Sequence, residues 1–302
     1  MYRLYGLRIA SDFPLPAPKD PRPGPADIRL TAGTASGFAR FRELIPDEAP
    51  FGPLHRVRTR SGLYLQWEAQ AEFLIGPRGR TIAGRPLMAG SRESFRAGLL
   101  TQVLSFALLE RGTEHLHATV VTVGDVAVAF AGQPGAGKST LAAAFVAAGD
   151  RLTTDDILVL APGPSGFVAQ PAYPRLRLWP EAAQRLLPDA RTSRLSARSP
   201  KLVVALPRSS WSAEPMPLAR IYVLGRPATD VRTAAITGIR AFRALGENTY
   251  NTSVTEPERI RRHFGFTASV AGSVPMARLW YPRRFGVLGR VRERVLADMG
   301  LA

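Results

Sequence analysis

Apolar positions recur along the chain in two rhythms, and the change between them marks its organisation. Over residues 1–90 the apolar runs are short and strand-like, as at 63–68 and 72–75, with turn residues between them, which predicts a β-rich N-terminal module. The stretch F-P-L-P-A-P-K-D-P-R-P-G-P-A at 13–26 can be neither a regular helix nor a central strand, because proline fixes φ and lacks a donor, so an extended loop is expected. From 91 to 111 the rhythm becomes helical: Phe95, Leu99, Leu100, Val103, Phe106 and Ala107 share one face and Gly112 closes the segment, predicting a helix that joins two modules. Two apolar strands follow at 118–123 and 126–131, linked by the tight-turn pair Gly124-Asp125. A helix over 139–148, strands at 157–160, 201–206 and 221–224, and a final helix over 287–299 complete a mixed α/β domain at 91–302. The segment D-A-R-T-S-R-L-S-A-R-S-P (189–200) is polar, basic and aperiodic, and predicts a loop.

Composition narrows the chemistry. With 45% hydrophobic and 21% charged residues over 302 positions, the chain is a folded globular protein and neither disordered nor fibrous. The absence of cysteine removes disulfides, thiolate zinc sites, iron–sulfur clusters and cysteine nucleophiles. Forty basic against 24 acidic residues give a net charge of +16, and the basic residues are 37 arginines and three lysines, at 19, 138 and 201. Such a field attracts nucleotides, acidic peptides, nucleic acids and membrane surfaces without choosing among them. The densest runs, E-R-I-R-R-H (258–263) and R-R-F-G-V-L-G-R-V-R-E-R (283–294), read as amphipathic helix segments, and no aromatic residues are interleaved as a single-strand-binding surface requires. The opening residues lack the apolar core of a signal peptide and no stretch is long enough to span a bilayer, so the expected location is the cytoplasm.

Residues 132–140 read G-Q-P-G-A-G-K-S-T, with an apolar strand before and a helix-forming run after, the context that a phosphate-binding loop needs. Gly132, Gly135 and Gly137 let the backbone wrap a phosphate with its N–H groups, while Gln133, Pro134 and Ala136 complete the turn. The helix beginning near Lys138 adds its positive end. Lys138 is expected to reach the β- and γ-phosphates of ATP, and the Ser139 hydroxyl to complete the shell of Mg²⁺, with Thr140 behind it.

Asp155 and Asp156 follow Lys138 by 17 and 18 residues. A ten-residue helix carries the chain about 15 Å from the loop at about 1.5 Å per residue, and an extended return at about 3.3 Å per residue covers the same distance in roughly 4–5 residues. Counted from Arg151, the return brings the chain level with the loop at Thr154 or Asp155. Phosphoryl transfer to a hydroxyl needs one carboxylate for metal and one to orient the nucleophile and accept its proton, and an Asp-Asp pair supplies both. His115 and His117 form H-x-H just before the first strand of this domain. Two imidazoles alone make a weak zinc site, and His117, leading directly towards the loop, is assigned a place near the nucleotide.

Together, H-A-T-V-V-x-x-G-D-V-A-V-A-F-A-G-Q-P-G-A-G-K-S-T and G-D-R-L-T-T-D-D resemble the catalytic domain of HPr kinase/phosphorylase and its bacterial relatives over residues 115–160. The resemblance implies a P-loop kinase domain of that type with a mixed sheet, Asp155 as general base towards a serine hydroxyl, Asp156 as Mg²⁺ partner, and His117 tuning the protonation of Asp155. The opening Y-R-L-Y-G-L-R-I-A-S-D-F-P-L-P is similar to divergent HPr-kinase-related proteins, including kinases that phosphorylate lasso-peptide precursors. Pro134 stands where HPr kinases commonly have serine and Thr140 where they have glutamate, which points away from phosphorylase activity and from HPr as substrate. T-G-I-R-A-F (237–242), with Arg240, matches the family's later glycine-arginine signature loosely, and Lys201 resembles a basic residue near the nucleotide. The expectation is therefore an ATP- and Mg²⁺-dependent kinase acting on a serine or threonine hydroxyl of a peptide or small protein. Its alternatives are a nucleotide-dependent switch without phosphotransfer and a small-molecule kinase, with homo-oligomerisation left open.

Overall fold

The computed structural model describes residues 1–45, 54–67, 70–87, 92–164, 166–195, 199–252 and 254–301. The chain forms two compact units, Met1–Thr113 with Arg194–Pro200, and Glu114–Ser193 with Lys201–Ala302.

The first unit is built on a seven-stranded sheet. Its strands are β1 (Tyr2–Leu4), β2 (Leu7–Ser11), β3 (Ile28–Ala32), β4 (Leu54–Thr59), β5 (Gly62–Trp67), β6 (Ala71–Ile75) and β7 (Thr81–Pro86), in spatial order β1-β2-β3-β7-β6-β5-β4. Only two of these were foreseen, β5 and β6, and the part of the expected 63–68 strand at Glu68 lies outside the described residues. Helix α1 (Ala35–Arg42) buries Phe38 and Phe41 against Tyr64. Below that ring cluster Glu72 is fully buried, its carboxylate held by Arg42, Arg85 and the Tyr64 hydroxyl. The proline-rich stretch 13–26 is irregular, as its composition demands. The expected helix at 91–111 runs over 92–110 as α2 (Arg92–Gly98), a π-turn at Leu99–Val103 and α3 (Leu104–Glu110), with Ser91 outside the described residues.

The second unit is mixed α/β. Its strands are β8 (His115–Val123), β9 (Val126–Ala131), β10 (Arg151–Thr154), β11 (Ile157–Gly163), β12 (Gly166–Ala169), β13 (Arg175–Leu178), β14 (Arg191–Arg194), β15 (Leu202–Ala205), β16 (Met216–Leu224), β17 (Arg232–Ile236) and β18 (Met276–Trp280). Its helices are α4 (Lys138–Ala147), α5 (Pro180–Leu186), α6 (Gly238–Gly246), α7 (Pro257–Ser273) and α8 (Leu288–Asp298). In the main sheet β8 and β9 form an antiparallel hairpin, β9, β16 and β18 run parallel, and β17 closes the edge antiparallel to β18. On its other side β8 pairs with β10 through its second half and with β11 through its first. Strand β12 links β11 to β16.

The apolar run of the β8–β9 hairpin is explained by burial on both faces. Val121, Val123, Val128 and Phe130 point into one core with Leu141 and Phe145 of α4 and Val291 and Val295 of α8. Ala118, Val120, Ala127 and Ala129 point into the other, with Ala244 and Leu245 of α6 and Val270 of α7. The polar stretch 189–200 is not all loop: Arg191–Arg194 forms exposed β14, which joins β13 and β15 in a three-stranded sheet. Backbone pairing with β15 suffices for that strand, so its side chains carry no apolar signal. Residues 196–198 of the stretch lie outside the described residues.

Candidate active site

The glycine-rich segment 132–137 leaves the end of β9 and turns into α4. Gly137 caps the helix at φ 93°, a left-handed conformation that costs other residues roughly 1 kcal/mol or more. Gly135 is also left-handed, at φ 85°. The first turn of α4 therefore presents its free N–H groups to the loop, which suits an anion. Lys138 is 6% exposed, and its Nζ folds back to donate to Gly132 O at 2.6 Å and Gln133 O at 3.3 Å. Gln133 Nε2 in turn donates to Glu247 O at 2.9 Å, tying the loop to the segment after α6.

Strand β10 runs back beside β8 as far as Thr154, which lies opposite Val120, and pairing resumes at Ile157 opposite His117. The two aspartates occupy that break in the ladder. Asp156 takes φ 70°, a value that Asp tolerates better than most residues, and so redirects the chain into β11. Asp155 is 6% exposed and fully engaged: Ser139 Oγ donates to Oδ1 at 2.9 Å, Thr119 Oγ1 donates to the same oxygen at 2.7 Å, and the Arg177 backbone N–H donates to Oδ2 at 3.0 Å. The Asp156 carboxylate is ion-paired with the Arg177 guanidinium. The serine of the loop thus meets Asp155, and Asp156 turns to an arginine.

His117 sits on β8 with Nδ1 3.1 Å from the backbone carbonyl of Asp156 and its ring edge-on to Tyr250 at 5.3 Å. It is held down to about 4, by burial first and by the Lys138, Arg177 and Lys201 cations against the pull of Asp155, so the ring is neutral at pH 7. A carbonyl neighbour can only accept, which puts the proton on Nδ1 and leaves Nε2 as an acceptor. Its link to the aspartates is thus a hydrogen bond to the backbone of Asp156, with only a longer-range charge interaction with Asp155. Lys138 is drawn down to about 8, by burial first, with Asp155 opposing and Lys201 adding to the fall. Lys201 therefore lies within electrostatic range of both groups, whereas Arg240 is exposed on α6.

Two contributors escaped the sequence reading. Arg177 lies in R-L-R-L, where alternation buries Leu176 and Leu178 and leaves the arginines on the other face; the pattern was visible but not the face it would meet. The 247–250 segment supplies Glu247 O to Gln133, Asn248 O to the His117 N–H, and the Tyr250 ring. Nothing periodic marks it.

The donor set fits a hard divalent cation in chemistry. Ser139 offers a hydroxyl and Asp155 and Asp156 carboxylate oxygens, all hard ligands, close to a loop that would bring phosphate oxygens. Among the described residues no group of three or more His, Asp or Glu side chains converges as a protein-only metal site. A cation held here would need oxygens from a bound molecule to complete its shell. Among the described residues no helix is long and apolar enough to cross a membrane.

No protein-family model matches the chain, and no curated protein matches it. Among solved structures it is similar to the Hpr(Ser) kinase/phosphatase from Coxiella burnetii, at 12% identity and a TM-score of 0.32, over 61% of this chain and 95% of that one. A likeness of that size carries no weight for the chemistry.

Proposed function

We propose that this chain is an ATP- and Mg²⁺-dependent kinase with a P-loop domain of the HPr kinase type, transferring the γ-phosphoryl group to a serine or threonine hydroxyl of a peptide or small protein. The observation that carries this reading is the 2.9 Å contact between Ser139 Oγ and Asp155 Oδ1, made by residues 16 positions apart, beside a buried lysine folded onto the loop. It brings the helix N-terminus behind the glycine-rich loop to a buried carboxylate.

In this reading the phosphates of ATP replace Gly132 O and Gln133 O as partners of Lys138, which then neutralises charge on the transferring group. Gly135, Ala136, Gly137, Ser139 and Thr140 supply backbone N–H groups around the phosphates. A bound Mg²⁺ would supply positive charge against that developing on the phosphates. Ser139 and the aspartate pair hold it. Asp155 and Asp156 share the tasks of holding metal and of orienting and deprotonating the acceptor, as closely coupled carboxylates do. Asp155 carries the larger share, because it is the one that reaches Ser139. His117 fixes the backbone at Asp156 from its neutral form, and Arg177 sets the direction of the Asp156 carboxylate.

The test is incubation with γ-labelled ATP, Mg²⁺ and a panel of serine-containing peptides, including serine-ended precursors of the lasso-peptide kind, and HPr, read by intact mass. A phosphate added to a peptide is the expected result. Tight ATP binding with no transfer to any hydroxyl in the panel would favour a nucleotide switch, and transfer only to a small molecule would replace the acceptor class.

A further inference from the structure

Beside the loop lies a cavity of about 210 Å³, with one wall of Gly135, Gly137 and Thr140 and another that includes Tyr281, Arg283, Phe285 and Leu288. Its second wall comes from Y-P-R-R-F-G, the stretch that leads from β18 into α8. Tyr281 is 2% exposed, and the Arg283 guanidinium lies over its ring at 4.0 Å. Arg283 is fixed there, since Nη2 donates to Gly225 O at 2.8 Å. Its other terminal nitrogen, Nη1, is buried, and the guanidinium interacts with the Tyr281 hydroxyl. That nitrogen faces the loop: a Cβ added to Gly137 would lie 3.8 Å from it and 3.2 Å from the Tyr281 hydroxyl.

A buried guanidinium nitrogen that makes no full-strength hydrogen bond within the protein can still donate to an oxygen or nitrogen of a bound molecule. The cavity is smaller than the roughly 300–1,000 Å³ that encloses a whole drug-sized ligand, so it suits the nucleoside part of a nucleotide and not the whole. Its near wall is the loop that would hold the phosphates, so a group attached to those phosphates can reach it. Its far wall offers the Arg283 guanidinium, which lies on Tyr281 through one face, and the Phe285 ring, which carries Arg185 on one face; their other faces are of the kind on which a base stacks, and Arg283 adds a donor for a ring nitrogen or a ribose oxygen.

We propose that this cavity is the nucleoside subsite of the enzyme, with Arg283 and Phe285 holding the base and ribose of ATP. The proposal rests on the kinase reading to the extent that it needs a polyphosphate in the loop. It distinguishes two halves of the substrate: Lys138 and the loop take the phosphates, and the Y-P-R-R-F-G wall takes the nucleoside.

The experiment measures the affinity of the full chain for ATP and for inorganic tripolyphosphate, in Mg²⁺, by calorimetric titration, for the unmodified protein, Arg283→Met and Phe285→Ala. Phe285→Ala is the second arm because Arg283 also ties down the backbone at Gly225, and thermal melting shows which variants are folded. Each variant is expected to bind ATP about 10-fold more weakly while tripolyphosphate changes by less than about 2-fold. Equal losses for both ligands, or an unmodified protein that binds tripolyphosphate as tightly as ATP, would overturn the subsite and leave the phosphate loop standing. Failure of the unmodified protein to bind either ligand would overturn the kinase reading and the subsite with it.

Discussion

Lys138 should be a liability in the free protein. Its ammonium is 6% exposed and satisfied by two loop carbonyls and no anion, and burial draws it from 10.5 down to about 8. At about 1.36 kcal/mol per tenfold change in proton affinity, holding the protonated amine in the fold at pH 7 costs roughly 3 kcal/mol relative to the unfolded chain. Lys138→Met removes that cost and keeps the apolar stem, while the freed carbonyls can turn to water in the open loop. The variant is expected to be more stable than the parent by about 1–3 kcal/mol in urea at pH 7, with a melting temperature higher by about 2–4 °C for each kcal/mol. The sign of the pH dependence is fixed. Between about pH 8 and 10.5 the folded parent has released the proton that the unfolded chain still binds, so the parent gains stability across that window and the gap to the variant closes. Saturating ATP at 100 times its Kd should stabilise the parent by about 2.7 kcal/mol and the variant by almost nothing. A Lys138→Met protein that is less stable than the parent at pH 7, or a gap that widens above pH 8, would refute this reasoning.

Three further perturbations follow from the same geometry. Gly137→Ala forces a Cβ into a left-handed cap and to 3.2 Å from the Tyr281 hydroxyl, so melting should show a loss of about 1–2 kcal/mol and titration a weaker hold on ATP. Arg177→Met releases the Asp156 carboxylate; since both side chains are partly exposed, stability should fall by no more than about 1 kcal/mol, while kcat drops about 10-fold with the KM for ATP little changed. In the first unit, Glu72→Gln leaves Arg42 and Arg85 facing a neutral amide, and urea unfolding should register a loss of about 2–4 kcal/mol, with phosphotransfer per folded molecule unchanged.

How legible each part was depended on what its residues had to do. The loop could be read because wrapping a phosphate demands glycine where φ is positive, and Gly135 and Gly137 take such values. The aspartates could be located because helix rise and strand rise are fixed, and the return along β10 does bring Asp155 to Ser139. The β8–β9 hairpin was plain from two apolar runs and Gly124-Asp125, with Gly124 at φ 54°. By contrast, β1, β2 and β3 interleave Arg3, Arg8 and Arg29 with apolar residues in runs of three to five, too short to separate from loop. The exposed β14 is held by backbone pairing alone. Which aspartate meets Ser139 was beyond spacing, since the chain bends at Asp156, at φ 70°, and adjacent residues on a bend point in different directions. Arg177, Tyr250 and the Y-P-R-R-F-G wall reach the loop region through tertiary packing from 20 residues or more away from the motif, and no local pattern announces that.

The most direct test of the central claim compares the unmodified protein with Asp155→Asn in two assays on the same preparations: ATP affinity by titration, and phosphate transfer to a serine peptide by intact mass. The proposed function predicts ATP affinity within about threefold and transfer reduced by about 10²–10⁴-fold, because in that proposal Asp155 serves the acceptor while the loop and Lys138 hold the nucleotide. Undiminished transfer by Asp155→Asn would contradict the claim that this carboxylate, brought to Ser139 by the return strand, is where phosphotransfer takes place.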